Sequence, residues 1–391
     1  MKKERKMKLV YLLAIILAFS SCKKEIHVTP VVEQELMVST FVGSGSFGFR
    51  DGIGEATGFK RPTSMVIDAS GNIFVADKGN FRIRKVTPNG VVSTFVGDGI
   101  GGYLDGTGTA AKIGGGDNAI TIDAQNNLYL ADPANLCIRK ITPAGVVSTL
   151  VGAPGRSNVD GPIATAGVKF ISQADIAIDA SNNIYFNDIK GIRKVSADGI
   201  VSTIVQVGPK TITGPIATAV IASPINLCTD KTGNIYVASL GLNDMLVIKI
   251  STDQMVSYYA GKINGSPISY SLGLAESAQF NGIRGMIADK SGNVLIVDQN
   301  HIVTKITPDG WVRLVAGIQY AESYRPFVPG PVFTTTFADN IDVAVDPNGI
   351  IYVLDCSLGS IRKISLVDKP TNPPTQTEIE KANWNKATTW K

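Results

Sequence analysis

Histidine is almost missing from this chain: among 391 residues only His27 and His301 carry an imidazole. A metal site of the nitrogen-rich kind needs about three such ligands or their equivalents, so lyase chemistry built on clustered histidines has too few ligands here. A Ser–His nucleophile would have to use His301, and no Gly-Xaa-Ser-Xaa-Gly elbow accompanies it. Cysteine is also sparse. Cys22, Cys137, Cys228 and Cys356 lie far apart and form no Cys-Xaa-Xaa-Cys pair, which excludes a disulfide framework and a zinc knuckle. The long hydrophobic run of residues 9–19 is too short to cross a bilayer as a helix.

That run has a different meaning. Lys2, Lys3, Arg5, Lys6 and Lys8 precede it, and Ser20, Ser21 and Cys22 follow, which is the layout of an export signal. Ending on Ser-Ser-Cys, it resembles a bacterial lipoprotein signal, although Phe19 stands where leucine is more usual. The resemblance implies removal of residues 1–21, acylation of Cys22 and attachment to the cell envelope, with the outer membrane as the expected address. It leaves the periplasmic and surface sides open. Removal also changes the charge balance. Five of the 37 Lys and Arg and one of the 33 Asp and Glu fall in the signal, leaving 32 of each. With no basic field left, nucleic acid is not an expected partner.

What the chain has in abundance is repetition. The segment SMVIDASGNIFVADKGNFRIRKVTPNGVVSTFVGDG, residues 64–99, recurs five more times, as in AITIDAQNNLYLADPANLCIRKITPAGVVSTLVG and DVAVDPNGIIYVLDCSLGSIRKISLVD. The sixth copy lacks the closing VVST(F/L)VG strand, and that strand stands near the other end as LMVSTFVGSG, residues 36–45. A unit divided between the two ends predicts a closed circle, in which the first and last copies touch. Each copy parses into four strands rich in Val, Ile, Tyr and Phe, separated by Gly/Asn turns. The first strand ends in Asp68, Asp123, Asp179, Asp230, Asp289 or Asp346, at spacings of 51 to 59 residues. Four antiparallel strands per unit, arranged radially, define a β-propeller blade. The expected fold is therefore all-β, a six-bladed propeller of four-stranded blades over residues 36–367, closed by the N-terminal strand. A tether of residues 22–35 precedes it, and a Pro/Thr-rich tail of residues 368–391 follows, whose composition suits a flexible segment.

The pattern DGxGxxAxF…DxxGNxYVADxxNxxIRKxxxxGxVxTxxG resembles the NHL repeat family, in all six units, and further resembles NHL-repeat lipoproteins of Bacteroidetes-type bacteria. The resemblance implies the six-bladed fold. It does not imply one activity, because such folds host unrelated functions.

Two columns recur in the third strand. Lysine fills one in every unit (Lys85, Lys140, Lys194, Lys249, Lys305, Lys363), and Arg84, Arg139, Arg193 and Arg362 fill the other. A charge present in every blade is expected to build blades, by meeting repeated aspartates such as Asp77, Asp132, Asp188 and Asp355. Asp-Gly pairs also recur at Asp51, Asp105 and Asp160. They lack the DxDxDG run of a calcium loop, and a segment folded over the blade junction is the expectation, with a structural or channel calcium as the alternative.

Binding is expected where the copies diverge, on the face carrying the second-to-third connections and the long fourth-to-first insertions. The residues opening each first strand there form the candidate site: Asp117, Asn118, Gln173, Asp175, Asn226, Arg284, Asn340 and Asp342, with Thr63 and Ser64 beside them. Asp175 in unit three and Asp342 in unit six are expected to face each other across the axis. Carboxylates, amides and one arginine around a depression suit sugar hydroxyls, a peptide or a cation, and they also suit a merely solvated channel opening. Tyr103, Tyr258, Tyr259, Tyr270, Tyr320, Tyr324 and Phe327 are read as loop aromatics able to stack on sugars or pack on a partner.

The leading expectation is a lipid-anchored, monomeric, non-enzymatic recognition module without a cofactor, holding a glycan, peptide or envelope protein. The alternatives are a metal-dependent lactonase-like or lyase-like propeller using Asp175, Asn226 and Asp342, and an envelope scaffold without a small ligand.

Overall fold

The structure, a computed structural model, describes residues 34–170, 174–266, 270–318 and 327–368. Cys22, the tether up to residue 33 and the tail from residue 369 lie outside them. No helix among the described residues is long and apolar enough to cross a membrane. The propeller itself, Glu35–Val367, forms one compact unit of six sheets, antiparallel except where Val220–Ala222 adds a parallel pairing to Ile200–Gly208 in the third.

The first blade shows the plan. Ser64–Ile67 is innermost, followed outward by Ile73–Asp77, Arg82–Val86 and Val91–Val96. A fifth strand of two residues, Gly52–Ile53, pairs with the outer edge through Gly52 to Val92 and Ile53 to Val91. Each of the other sheets gains the same short outer strand, so the blades have five strands rather than the expected four. The added residues come from the insertions, at Asp-Gly in the first three blades and at Thr-Gly, Leu-Gly and Pro-Gly in the others, and two residues were too short to read as a strand. The added strand covers backbone groups that would otherwise form an open edge.

The circle closes as the divided repeat predicts. Gln34–Val42 lies between Ser360–Asp368 and Gly330–Pro331 in the sixth sheet. Val38 and Val42 are fully buried, and the Phe41 ring meets Tyr352 edge-on at 5.2 Å. The strand thus contributes core as well as hydrogen bonds.

The repeated residues explain the blade. Every first-strand aspartate caps its own hairpin: Asp68 Oδ1 accepts the N–H groups of Ser70 and Asn72, and Asp123, Asp179, Asp230, Asp289 and Asp346 do the same. The third residue beyond each aspartate is glycine or asparagine with φ between +61° and +89°, as the tight turn requires. Core forms between blades, where six apolar clusters each join side chains of adjacent sheets.

The arginine and lysine columns do different jobs. Arg84, fully buried, reaches Asp77 at 3.0 Å and also Asp51 of the insertion. Arg193 repeats this with Asp188 at 2.9 Å and Asp160 at 2.8 Å, and Arg139 pairs with Asp105 at 2.7 Å. Arg362 pairs with Asp355 at 3.1 Å. The Asp-Gly aspartates Asp51, Asp105 and Asp160 are thus counter-ions to buried guanidinium groups. The lysines do not meet aspartates as expected; in every blade but the fifth they lie over aromatic rings, as Lys85 over Phe74 at 5.7 Å. Blade four, with Ile248 and Ser239 at the charged positions, dispenses with the pair altogether.

Candidate functional site

The inner strands line an axial channel of about 420 Å³. Its upper end, on the insertion face, is ringed by one register column: Ser64, Ala119, Asp175, Asn226, Gly285 and Asp342. Lower down, Ile67, Ile122, Ile178, Ile287 and Val345 make the lining apolar.

Most of that column clips each blade to the next. Leu227 N–H donates to Asp175 Oδ2 at 2.9 Å, and Met65 N–H donates to Asp342 Oδ2 at 2.7 Å. Asn226 Nδ2 donates to the Arg284 carbonyl at 2.9 Å, while Thr63 Oγ1 donates to the Asn118 carbonyl at 2.6 Å. At Gly285 a Cβ would sit 2.8 Å from Asp342 Cα, so only glycine permits the fifth blade to approach the sixth. Asp175, Asn226 and Asp342 each give a side-chain polar atom to the backbone of a neighbouring blade while lining the channel. Asn118 is buried, 2% exposed, and its Nδ2 donates to the Gly114 carbonyl. Gln173 lies outside the described residues. Asn340 opens the strand Asn340–Val345, and its backbone pairs with Asp355.

The rim above the column is charged. Lys78 of blade one pairs with Asp117 of blade two, and Arg284 of blade five meets Asp339 of blade six at 3.5 Å. Arg284 is the extra residue of a β-bulge between Ile283 and Gly285. Bulges re-aim a side chain, and this one belongs to a strand whose other residues line the channel. Cys356 joins the lining nearby. Lys78, Asp339 and Cys356 were not among the sequence candidates, although all three fall in the divergent connections that the sequence marks as the binding face.

The electrostatics are unusual for aspartates. Asp175 touches only the narrow channel, and burial raises its pKa to about 6 despite hydrogen bonds from Leu227, Ile176 and Asn226. Asp342 rises to about 7, through burial first and then the negative charge of Asp175. Burial thus raises both carboxyls above the usual aspartate range within one cavity. Burial, with the charges of Asp339 and Asp355, pushes the Cys356 thiol up to about 11, so it is not a ready nucleophile.

His301, read from sequence as an incidental surface residue, is half-buried, with burial lowering its pKa and Nδ1 lacking a partner. Among the described residues no three His, Cys, Asp or Glu side chains form a group able to hold a metal ion. The loop aromatics also change role. Tyr259 lies in the strand Met255–Ala260 and packs on Tyr236 at 4.7 Å, and Tyr258 shares that strand. Phe327 sits 3.7 Å from the Arg362 guanidinium, and the Tyr270 hydroxyl is buried. Tyr103 remains partly exposed at the Arg139 guanidinium, and Tyr320 and Tyr324 lie outside the described residues.

Fold and channel together define a six-bladed β-propeller with a polar mouth on its insertion face. Comparison with known proteins adds detail. The family described as NHL repeat matches residues 59–86, within the first blade. A structural genomics protein of unknown function from Bacteroides thetaiotaomicron VPI-5482 superposes with a TM-score of 0.63 at 20% identity, covering 86% of this chain and 77% of that one. Auxiliary nutrient binding proteins from the same strain and from Bacteroides ovatus ATCC 8483 superpose with TM-scores of 0.61 and 0.62, at 13% and 15% identity. Each pair covers 86% of this chain and 78% of the other. Identities this low establish a shared fold.

Proposed function

We propose that this protein is an exported, lipid-anchored recognition module that takes a short glycan or another polyhydroxylated ligand into the mouth of its channel. One observation carries the reading: Asp175 and Asp342 share a cavity whose size suits a small ligand, with the Arg284 guanidinium at its rim. Carboxyl groups and a guanidinium complement hydroxyl groups, which donate and accept at once. The two nutrient-binding relatives of the same fold support a binding role. Anchoring through Cys22 would hold the module at the envelope.

The test is calorimetric titration of the mature protein with a panel of oligosaccharides, repeated with Arg284→Ala and Asp117→Ala. Arg284 clips blade four through its carbonyl and not its side chain, so truncation probes binding without opening the circle. Binding of a glycan weakened about tenfold by Arg284→Ala is expected from a lost charge-assisted hydrogen bond. Absence of heat with every oligosaccharide discards the reading. The buried carboxyl pair favours one second reading, general acid–base catalysis. Turnover of a retained ligand that vanishes in Asp175→Asn would convert the binder into an enzyme.

A further inference from the structure

A second cavity, of about 540 Å³, opens on the opposite face, at the junction of blades five and six. Its cause is visible in the repeat. At one position of the second strand, five blades carry an aromatic ring: Phe74, Tyr129, Tyr185, Tyr236 and Tyr352. Blade five carries Leu295 there. In the facing column of the fourth strand, Phe95, Tyr259 and Phe41 supply further rings, and blade five has Val315. It is the blade with an aromatic in neither column. Leu295, Val315, Ile351 and Ile364 line the cavity that results, with Lys305 and Asp289 at its polar edge.

The other blades show what this space is shaped to hold. Lys140, Lys194 and Lys249 lie 5.7, 5.9 and 5.9 Å from the ring centres of Tyr129, Tyr185 and Tyr236. The hydroxyls of those tyrosines donate to Asp123, Asp179 and Asp230 Oδ2 at 3.1, 3.0 and 3.1 Å. In blade five the same frame stands without its ring. Asp289 Oδ2 accepts from Asn293 Nδ2 at 2.7 Å as its counterparts do, but no tyrosine reaches it. The Lys305 ammonium makes no hydrogen bond, ion pair or ring contact among the described residues.

We infer that the junction of blades five and six is a binding site for a small phenol, seated in the place of the missing tyrosine. The ring lies against Leu295 and Val315 beneath the Lys305 ammonium, and the hydroxyl donates to Asp289 Oδ2. Cation–π attraction and burial hold the ring, while the carboxylate selects for a hydroxyl. The volume falls within the roughly 300–1,000 Å³ of small-molecule sites. The cavity shares Ile67, Ile287 and Val345 with the lower channel, at the end away from the mouth.

Titration of the full mature chain with p-cresol, the tyrosine side chain as a free molecule, tests the inference by calorimetry or ligand-observed NMR. Saturable binding is expected, with toluene about tenfold weaker because it cannot reach the carboxylate. Asp289→Asn should bring p-cresol down towards toluene. Leu295→Tyr should fill the space from within and abolish binding, leaving the melting temperature unchanged or raised. Should that variant fail to fold, Val315→Phe, which restores the ring of blade one, serves the same purpose. Arg284→Ala should leave p-cresol affinity unchanged. No saturable binding at millimolar p-cresol, equal affinity for toluene, or binding that survives both filling substitutions would overturn the inference.

Discussion

The backbone N–H of Met65 donates to the carboxyl group of Asp342 over 2.7 Å, joining the inner strand of the first blade to that of the sixth. The two residues are 277 positions apart in the chain. The clip sits where the circle closes, and its acceptor is the group whose pKa burial and Asp175 raise to about 7.

Stability should therefore respond to pH in an uncommon direction. An aspartate raised from 3.8 to about 7 binds a proton more tightly folded than unfolded. Its contribution is complete below the unfolded pKa and is lost as pH rises through about 7. Asp175 and Asp298, both at about 6 through burial, act in the same sense. His301, whose pKa is lowered, acts oppositely as pH falls below its usual range. Urea midpoints from pH 4.5 to 8 should show Asp342→Asn losing stability relative to wild type at the acid end and gaining ground as pH rises. Parallel curves for the two proteins would contradict the assignment.

The buried arginine pairs make a second forecast. Arg84→Ala leaves Asp77, fully buried, without its counter-ion, and should cost about 3–5 kcal/mol. Blade four shows that an uncharged solution exists, with Ser239 and Ile248 at the same positions. The double variant Asp77→Ser with Arg84→Ile should thus recover most of the loss in chemical denaturation. A double variant no better than Arg84→Ala would show that the ion pair contributes more than its own neutrality.

Closure by the N-terminal strand can be tested at Val38, 1% exposed in the core between blades five and six. Val38→Ala should lower stability by about 1–2 kcal/mol. Val38→Asp places an unpaired charge in that core and should abolish cooperative unfolding. Wild-type melting of Val38→Asp would mean that the strand is dispensable.

Anchoring has its own measurement. In detergent phase partitioning of a bacterial expression host, the wild-type protein should follow the detergent phase and Cys22→Ala the aqueous phase. Equal partitioning of the two would remove the lipid from the proposal.

Much of this architecture was legible because it is written six times. The aspartates at the ends of the first strands, the positive-φ turn residues beyond them and the displaced strand at residues 36–45 each mark a local requirement repeated around the circle. The candidate site was legible only in outline. Asp175 and Asp342 were located at the channel, but their engagement with Leu227 and Met65 depends on which backbone groups the next blade presents. Arg284 owes its aim to a bulge that shifts the register by one residue, and no alternation of side chains along the strand announces it. The short outer strands were missed because two residues carry no periodicity.

The amino-acid order by itself determined the number of blades, their strand order and the need for a circle, since periodic apolar residues and turn glycines act over short distances. Tertiary structure alone decided which charges became clips, which stayed at the rim, and where a leucine in place of a tyrosine became an opening. Those outcomes depend on what a neighbouring blade brings within about 3 Å, the distance over which hydrogen bonds act.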